Sequence, residues 1–318
     1  MHYIILIIIM FATMMIYFKI AHHYNIIDKP NERSSHTEVT IRGGGVVFLI
    51  SAVIAAIVCS EYGVVVGGIV AIGLISFIDD RITLSNKVRL LVHLISVSLL
   101  FISLQLFSQT QWYTIAFLYV IVTGIVNAYN FMDGINGMTG AYSLILLSGL
   151  QYLNYRNAHF VSPDMIWLPI IACSVFLFFN FRKKASCFAG DVGSITIAFW
   201  IVFLLLKLIL VTGNIGYILF LLVYGLDSVT TILFRLLRKE NIFEAHRSHF
   251  YQYLANEKKI SHLIISAGYA IVQLIIIVAI IMFPIIHIGN IILIIFFFAF
   301  VFIAIRFFLE GKAHLLGH

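Results

Sequence analysis

The amino-acid sequence predicts an all-α, polytopic integral membrane protein with about eleven transmembrane helices. Of its 318 residues, 62% are apolar and only 11% are charged, whereas soluble domains average about 45–50% and about 25%. Apolar runs long enough to span a bilayer, about 20 residues, recur along the whole chain. The sequence contains no internal repeat and no separate soluble segment, so residues 1–318 are predicted to form a single domain.

The predicted spans follow the apolar runs in chain order, and polar or glycine-containing loops separate them. Ten or eleven such spans fit into the chain together with its loops. They are residues 3–19, 44–60, 63–78, 89–107, 113–127, 139–155, 165–181, 193–211, 215–236, 263–283 and 287–307.

The positions of Lys and Arg set the predicted orientation, because cytoplasmic loops are enriched in these residues. With the N-terminus outside, only Arg156 and Lys207 among the 20 basic residues do not fall on the cytosolic side. The net charge of +6 is explained by this asymmetry, so no nucleic-acid partner is predicted. Nearly all candidate chemistry then lies in loops at the cytosolic face.

Two adjacent carboxylates, Asp79 and Asp80, follow the third span, and Lys87 and Arg89 follow within the same loop. Either the carboxylates form a solvated helix end, or they act on a ligand. Lys87 and Arg89 lie about 200° apart on a helix and cannot share a face, and Arg89 is the preferred phosphate contact. Ser85 is a candidate N-cap for the helix that follows.

The next cytosolic loop carries Asn127, Asn130 and Asp133 at positions i, i+3 and i+6. On a helix these three side chains fall within an arc of about 120°. Hydrogen bonding at a helix end would account for one Asn, but two amides and a carboxylate together suit Mg²⁺, which takes oxygen ligands and keeps several waters. The loop is therefore a candidate metal site.

Two further loops carry candidate residues. In "FAGDVGS", glycines flank Asp191 just before a long span, which favours either a phosphate site at the helix N-terminus or an ordinary turn. Asp191 is a candidate metal ligand, and the Phe188 ring can stack on a base. In "HRSH", His246 and His249 lack an ordered third ligand, so zinc is disfavoured, and Arg247 indicates an anionic ligand instead.

Asp227 differs from these residues, since it lies well inside the ninth predicted span. Intramembrane acids normally face the bundle interior or water. The segment after it, "SVTTILFRLLRK", is amphipathic, and the helix is predicted to bend near Asp227.

Taken in order, the cytosolic loops resemble those of a known family. The segments "DKPNERSSHTEVTIRGGG", "DDRITLSNKVR", "NAYNFMDGINGM", "FAGDVGS" and "EAHRSHFYQ" are similar to the motifs of the polyprenyl-phosphate N-acetylhexosamine-1-phosphate transferases. This family includes the phospho-N-acetylmuramoyl-pentapeptide translocase and the enzymes that start O-antigen and capsule repeats. The resemblance implies transfer of a sugar 1-phosphate from a UDP-N-acetylhexosamine to undecaprenyl phosphate with release of UMP. It also implies Mg²⁺, for which Mn²⁺ can substitute.

The resemblance implies a role for each matched position, with catalysis assigned to Asp79, Asp80, Asp133, Asp191, His246 and His249. Asp191, Asn130 and Asp133 are implied as the metal ligands. Asp79 and Asp80 are implied to bind or deprotonate the lipid phosphate. The implied substrate-binding residues are Lys87, Arg89, Asn127, Asn130, Asn136, Phe188 and Arg247, with Asn136 and Phe188 at the uracil and Arg89 at the diphosphate.

Two departures from the translocase branch narrow the implied substrate. That branch has Asp where this chain has Asn136, and adjacent histidines where it has "HRSH". The muramoyl-pentapeptide donor is therefore disfavoured, and UDP-sugars of the N-acetylglucosamine, N-acetylquinovosamine or N-acetylfucosamine type are expected. Arg89 also stands where lysine is common, which leaves the exact phosphate contact open. The resemblance places the chain in the bacterial inner membrane, in contact with its lipids, and leaves the oligomeric state open, a homodimer included. The alternative is a transporter or lipid flippase, although such proteins place their substrates near the midplane.

Overall fold

The structure is a computed structural model that describes residues 2–28, 39–82, 84–242, 244 and 246–317. Nearly all of its regular structure is helical. The helices, in chain order, are α1 His2–His23, α2 Val46–Val58, α3 Gly63–Arg81, α4 Asn86–Ser103, α5 Leu106–Gln109, α6 Trp112–Phe131, α7 Met138–Leu153, α8 Asp164–Asn180, α9 Gly190–Thr212, α10 Leu222–Leu237, α11 Phe250–Asn256, α12 His262–Met282, α13 Ile288–Glu310 and α14 Lys312–Leu316.

The apolar helices agree with the predicted class of membrane protein. Within the described residues, eight helical segments are long and apolar enough to cross a bilayer, and α2 and α8 are shorter apolar helices. Every predicted span corresponds to a helix, with ends shifted by a few residues. An all-α polytopic protein is thus confirmed in outline, while the number of membrane crossings and their orientation stay predictions.

Helix α9 lies at the centre of the bundle. Its sequence is apolar on all sides, which is typical of a helix without a lipid-facing or water-facing surface. Every residue from Val192 to Leu205 is buried, and the helix packs against α2, α3 and α6. Because Asp191 stands in its first turn, the central helix also delivers one of the candidate metal ligands.

A small β structure joins two of the loops that carry the sequence motifs. Strand β1, Ile27–Asp28, pairs antiparallel with β2, Thr40–Ile41. Ile41 also forms a parallel bridge with Cys187. These pairings tie the segment before α2 to the segment before α9.

Close glycine packing fixes α2 against α9. A Cβ added at Gly45 would lie 2.1 Å from the Cα of Gly193, and one added at Gly44 would lie 2.3 Å from the Sγ of Cys187. The glycines of "IRGGGVVF" therefore serve close packing between two helix starts.

The ninth predicted span contains two helix types. Residues Ile215–Leu221 form a 3-10 helix, and α10 begins at Leu222. The side chain of Gln273 joins the two, since its Oε1 accepts from the backbone N–H of Val223 and its Nε2 donates to the carbonyl of Leu219. The change of helix type thus precedes Asp227, which lies within continuous α-helix rather than at a boundary.

Candidate active site

A polar cavity of about 300 Å³ lies where the loop after α6, the start of α9 and the α11–α12 region meet. Three carboxylates, four amides, one arginine, one phenyl ring and one imidazole line it. The lining residues are Asp28, Arg42, Asn130, Asp133, Gly134, Ile135, Asn136, Asn180, Phe188, Ala189, Gly190, Asp191, Gln252 and His262.

The three residues implied as metal ligands all line this cavity. Asn130 accepts a hydrogen bond from Ser194 Oγ at 2.7 Å through its Oδ1, and Asp133 Oδ1 accepts one from Thr139 Oγ1 at 2.6 Å. The pKa of Asp133 is raised to about 8, chiefly by burial and with a contribution from the negative charges of Asp191 and Asp80, although the hydrogen bond from Thr139 acts to lower it. Such a group of acids favours a bound cation.

The donor set fits Mg²⁺ rather than zinc. Within the described ranges, no group of three His, Cys, Asp or Glu side chains could hold a metal by itself, so a bound ion would also need the amide oxygen of Asn130. Two carboxylates and one amide oxygen, completed by water or substrate phosphate, are a usual arrangement for Mg²⁺.

The helical spacing predicted for this loop is correct only in part. Helix α6 continues to Phe131 and ends there, so Asn127 lies inside the helix and Asp133 lies beyond its end. Asp133 reaches the cavity through the loop, and Asn127 is not among the lining residues. The prediction that all three share one helix face is therefore wrong, because it assumed helix through residue 133.

Asp80 joins the α3 end to the α9 start. Its Oδ1 accepts from Arg42 Nε at 2.8 Å and from the backbone N–H of Asp191 at 3.2 Å, and its Oδ2 accepts from the N–H of Val192 at 3.0 Å. The carboxylate is 1% exposed, whereas the Arg42 side chain is 39% exposed. Asp80 thus occupies the anion-binding end of α9 and lies directly behind the cavity wall formed by Arg42, Gly190 and Asp191.

Asp79 points to a different partner. Its Oδ1 accepts from the backbone N–H of Leu84 at 2.8 Å, and its Oδ2 forms an ion pair with Arg89 Nη1 at 2.8 Å. This arrangement closes the α3–α4 connection, and Ser85 caps α4 as predicted by accepting from the N–H of Val88. Arg89 therefore pairs with Asp79 and, like the exposed Lys87, lies outside the cavity lining.

The opposite wall of the cavity carries Asn136 and Phe188. Asn136 is buried, and its Nδ2 donates to the carbonyls of Arg182 and Lys183. Its Oδ1 is also buried, and no hydrogen-bond partner for it is found among the described residues. A buried acceptor without a partner is costly, so a ligand N–H at this wall would be favoured.

The "HRSH" loop lies beside the cavity rather than in its lining. The imidazole rings of His246 and His249 stack with centroids 5.0 Å apart. The pKa of His246 is lowered to about 4, chiefly by burial. Arg247 is half-buried. The loop reaches the cavity through Gln252, which follows on α11 and is itself a lining residue.

Sequence reasoning did not single out five polar lining residues, namely Asp28, Arg42, Asn180, Gln252 and His262. Arg42 precedes the glycine run, and its isolated charge in an apolar context was an available signal. Asn180 ends α8, where its Oδ1 accepts from the N–H of Gly137 and its Nδ2 donates to the carbonyl of Cys187. An Asn at a helix end carries no such signal, because it is common there for local reasons.

The fold and the site together define a class of protein, a helical bundle in the membrane with a phosphate- and metal-compatible cavity at one end. Residues 62–209, a little under half of the chain, match the model of glycosyl transferase family 4. The resemblance inferred from the loop motifs is thus confirmed.

Similar proteins include enzymes from several bacteria. A probable undecaprenyl-phosphate N-acetylglucosaminyl 1-phosphate transferase of Bacillus subtilis is 26% identical over 258 residues, covering 74% of this chain and 71% of the relative. An undecaprenyl-phosphate alpha-N-acetylglucosaminyl 1-phosphate transferase of Escherichia coli is 25% identical over 298 residues, 82% of this chain and 76% of the relative. A phospho-N-acetylmuramoyl-pentapeptide-transferase of Thermotoga neapolitana is 29% identical over 181 residues, 51% of this chain and 58% of the relative.

One motif cannot be compared with the structure. Of the segment "DKPNERSSHTEV", only Asp28 and Val39 belong to the described residues. The roles implied for the other matched positions stay predictions, although the cavity brings Asn130, Asp133, Asn136, Phe188 and Asp191 together.

Proposed function

We propose that this protein transfers an N-acetylhexosamine 1-phosphate from a UDP-sugar to undecaprenyl phosphate and releases UMP. The observation that carries the proposal is the convergence of two carboxylates, an amide oxygen, an unpaired Asn136 acceptor and the Phe188 ring on one cavity. This set suits a substrate with a diphosphate at one end and a base at the other. The names of the similar proteins support the same reaction class.

Asn130, Asp133 and Asp191 are the residues that would hold Mg²⁺. Bound there, Mg²⁺ would offset the charge of the diphosphate. Arg42 lines the same cavity with a partly exposed guanidinium, so it supplies a second positive charge at the position where the phosphates would lie. Positioning and electrostatic stabilisation are then the main contributions of the protein to catalysis.

The hydrogen bonds of the paired carboxylates favour direct attack by the lipid phosphate. Both oxygens of Asp79 and both oxygens of Asp80 already accept from protein donors. Neither residue is among those lining the cavity, and an aspartyl-phosphate intermediate would require one of them to break these contacts. The already ionised oxygen of a phosphate needs little activation.

The membrane position and the pathway are part of the proposal. We place the N-terminus outside, the cavity at the cytosolic face and the protein in the bacterial inner membrane, because the basic residues are concentrated on that side. The Asn136 and "HRSH" positions favour a GlcNAc-, QuiNAc- or FucNAc-type donor for O-antigen or capsule synthesis. A transporter or flippase is not favoured, since the similar proteins are transferases and the candidate metal and substrate residues that line the cavity collect at helix ends.

The test is direct. Purified protein is incubated with undecaprenyl phosphate, Mg²⁺ and a panel of UDP-N-acetylhexosamines that includes the muramoyl-pentapeptide donor, and UMP is measured. UMP release that depends on both the lipid and one amino sugar supports the proposal. Release with the muramoyl-pentapeptide donor alone would contradict the assigned sugar class, and no release with any donor would contradict the reaction.

A further inference from the structure

Asp227 is a fully buried carboxylate in the middle of α10, and all of its neighbours donate to it. Its exposed fraction is 0%. Oδ1 accepts from the backbone N–H of Phe250 at 3.0 Å and from Thr231 Oγ1 at 3.2 Å. Oδ2 accepts from Tyr269 Oη at 2.6 Å and from the N–H of Tyr251 at 3.2 Å. A carboxylate surrounded only by donors is satisfied in its ionised form, which is acceptor-only.

The fifth neighbour of Asp227 is the imidazole of His249. The Nδ1 atom lies 3.2 Å from Asp227 Oδ1. The side chain of His249 also takes part in a capping box with the backbone N–H of Gln252. One ring nitrogen cannot both carry a proton toward Asp227 and accept one from Gln252. Because a hydrogen bond to an ionised carboxylate is the stronger of the two, Nδ1 carries the proton.

The other ring nitrogen of His249 has no such partner. Nε2 is buried, and no hydrogen bond to it is found within the described part of the chain. With the proton on Nδ1, Nε2 is an acceptor. Its position beside Phe131 and the cavity-lining Gln252 puts this acceptor next to the site.

Arg306 holds the same loop from a second side. This arginine of α13 is 1% exposed. It donates to the carbonyl of Ser248 at 2.9 Å and to Thr231 Oγ1 at 2.9 Å, and Thr231 in turn donates to Asp227. The backbone on both sides of His249 is thereby fixed. The ring itself stacks on His246 and Tyr251, and the Asp227 contact decides which of its nitrogens carries the proton.

We propose that Asp227 is a positioning residue for His249. It holds the imidazole in the tautomer that is protonated on Nδ1 and keeps Nε2 directed, as an acceptor, at an O–H or N–H group of the bound substrates. This inference rests on the proposed transferase function. The group belongs either to the UDP-sugar or to the protonated phosphate of the lipid, and the KM values for the two substrates distinguish these sources.

The first test reads the tautomer without relying on activity. In ¹⁵N-histidine-labelled wild-type protein, the His249 signal is identified as the one that is missing in His249→Asn. At neutral pH it should report a protonated Nδ1 and an unprotonated Nε2. A signal from the opposite tautomer overturns the proposal, whether or not the protein is a transferase.

The second test is a double-mutant cycle on UMP release. An Asn amide nitrogen lies close to where Nδ1 lies, so His249→Asn keeps a donor toward Asp227 and removes only the Nε2 side of the ring. We expect His249→Asn and Asp227→Asn each to lower kcat/KM about 100-fold, the lower end of the range for proton-handling groups. The double variant should lose no more than either single variant.

Additive losses in the double variant, or full activity in His249→Asn, would show that Asp227 acts on the fold and not through His249. If Asp227→Asn does not fold, the activity of His249→Asn and the tautomer signal of the wild-type protein still test the proposal. Ser228→Ala is the matched control, because this neighbour on α10 is buried and its Oγ has no partner among the described residues. The control should keep wild-type kcat/KM. Absence of UMP release by the wild-type protein would instead refute the proposed function itself.

Discussion

Replacing Gly45 with alanine tests whether the contact between α2 and α9 sets the geometry of the cavity. Gly45 has φ −66°, a conformation that alanine adopts without strain, so only the space around the new Cβ matters. This Cβ would lie 2.1 Å from the Cα of Gly193 and 2.7 Å from the carbonyl oxygen of Ala189. Both atoms belong to backbone and cannot rotate away.

The size of the effect follows from these distances. Carbon atoms in ordinary contact are about 3.5–4.0 Å apart, so the starts of α2 and α9 would have to separate by roughly 1.5 Å. Displacements of about 1 Å at a catalytic site cost on the order of 100-fold in rate, or about 2.7 kcal/mol in the barrier. Overpacking also costs about 1–3 kcal/mol of stability. We therefore expect Gly45→Ala to lower UMP release at least 100-fold and to lower the Tm.

The matched control is Gly67→Ala on α3, where no atom lies within 4 Å of the added Cβ. This change should keep activity and raise stability slightly, because alanine restricts the unfolded chain more than glycine does. The UMP release and the Tm of Gly193→Ala should lie between those of the other two variants, since its Cβ would lie 2.8 Å from the Cα of Gly45. If Gly45→Ala retains more than about a third of wild-type UMP release, the contact does not set the cavity geometry.

Three further predictions concern topology, metal and pH. In intact cells, cysteines at the exposed Ser85 and Lys183 should react only with membrane-permeant reagents, and one at Gln109 with impermeant reagents too; labelling of the first two from outside would reverse the proposed orientation. Chelation should abolish UMP release and Mg²⁺ should restore it, while Asp191→Asn should lose at least about 100-fold in activity with little change in Tm; full activity of this variant would remove Asp191 from the metal site. The pKa of His246 is about 4 in the folded protein against 6.5 for an ordinary histidine, so between these values the unfolded chain takes up a proton that the folded protein does not. Stability should therefore be lost as the pH falls below 6.5, and His246→Gln should lose less Tm between pH 6.5 and 4 than wild type, as followed by thermal unfolding in detergent. An equal loss of Tm in both proteins would contradict this assignment.

Much of the helical architecture could be predicted because the bilayer imposes a length and a composition on each helix. Each span that was predicted from an apolar run corresponds to a helix of the structure, from His2–His23 to Ile288–Glu310. The pairing of Ile27–Asp28 with Thr40–Ile41 could not be predicted in the same way, since two-residue strands are too short to show an alternating pattern. The Ile215–Leu221 segment is equally apolar as 3-10 helix or α-helix, so composition does not distinguish them.

The candidate site was predictable where a motif places oxygen ligands together, as for Asn130, Asp133 and Asp191. It was not predictable where the partner depends on the tertiary structure. The sequence places Asp79 and Asp80 side by side, yet one pairs with Arg89 within its own loop and the other with Arg42 across the bundle. Neighbouring residues on a helix point in different directions, and only the packing of α3 against α9 decides what each one meets.

The ion pair of α13 bears on how the chain enters the membrane during synthesis. Arg306 and Glu310 are four residues apart and pair within one helix, so each charge brings its own counter-ion when that segment partitions into lipid. This lowers the cost of inserting an arginine, about 2.5–3.5 kcal/mol when it lies unpaired at a helix centre. The contacts of Arg306 with Thr230 and Ser248 belong to a later stage, in which inserted helices associate. Helix α13 can therefore insert into the bilayer independently, and its contacts with the other helices can stabilise the completed bundle afterwards.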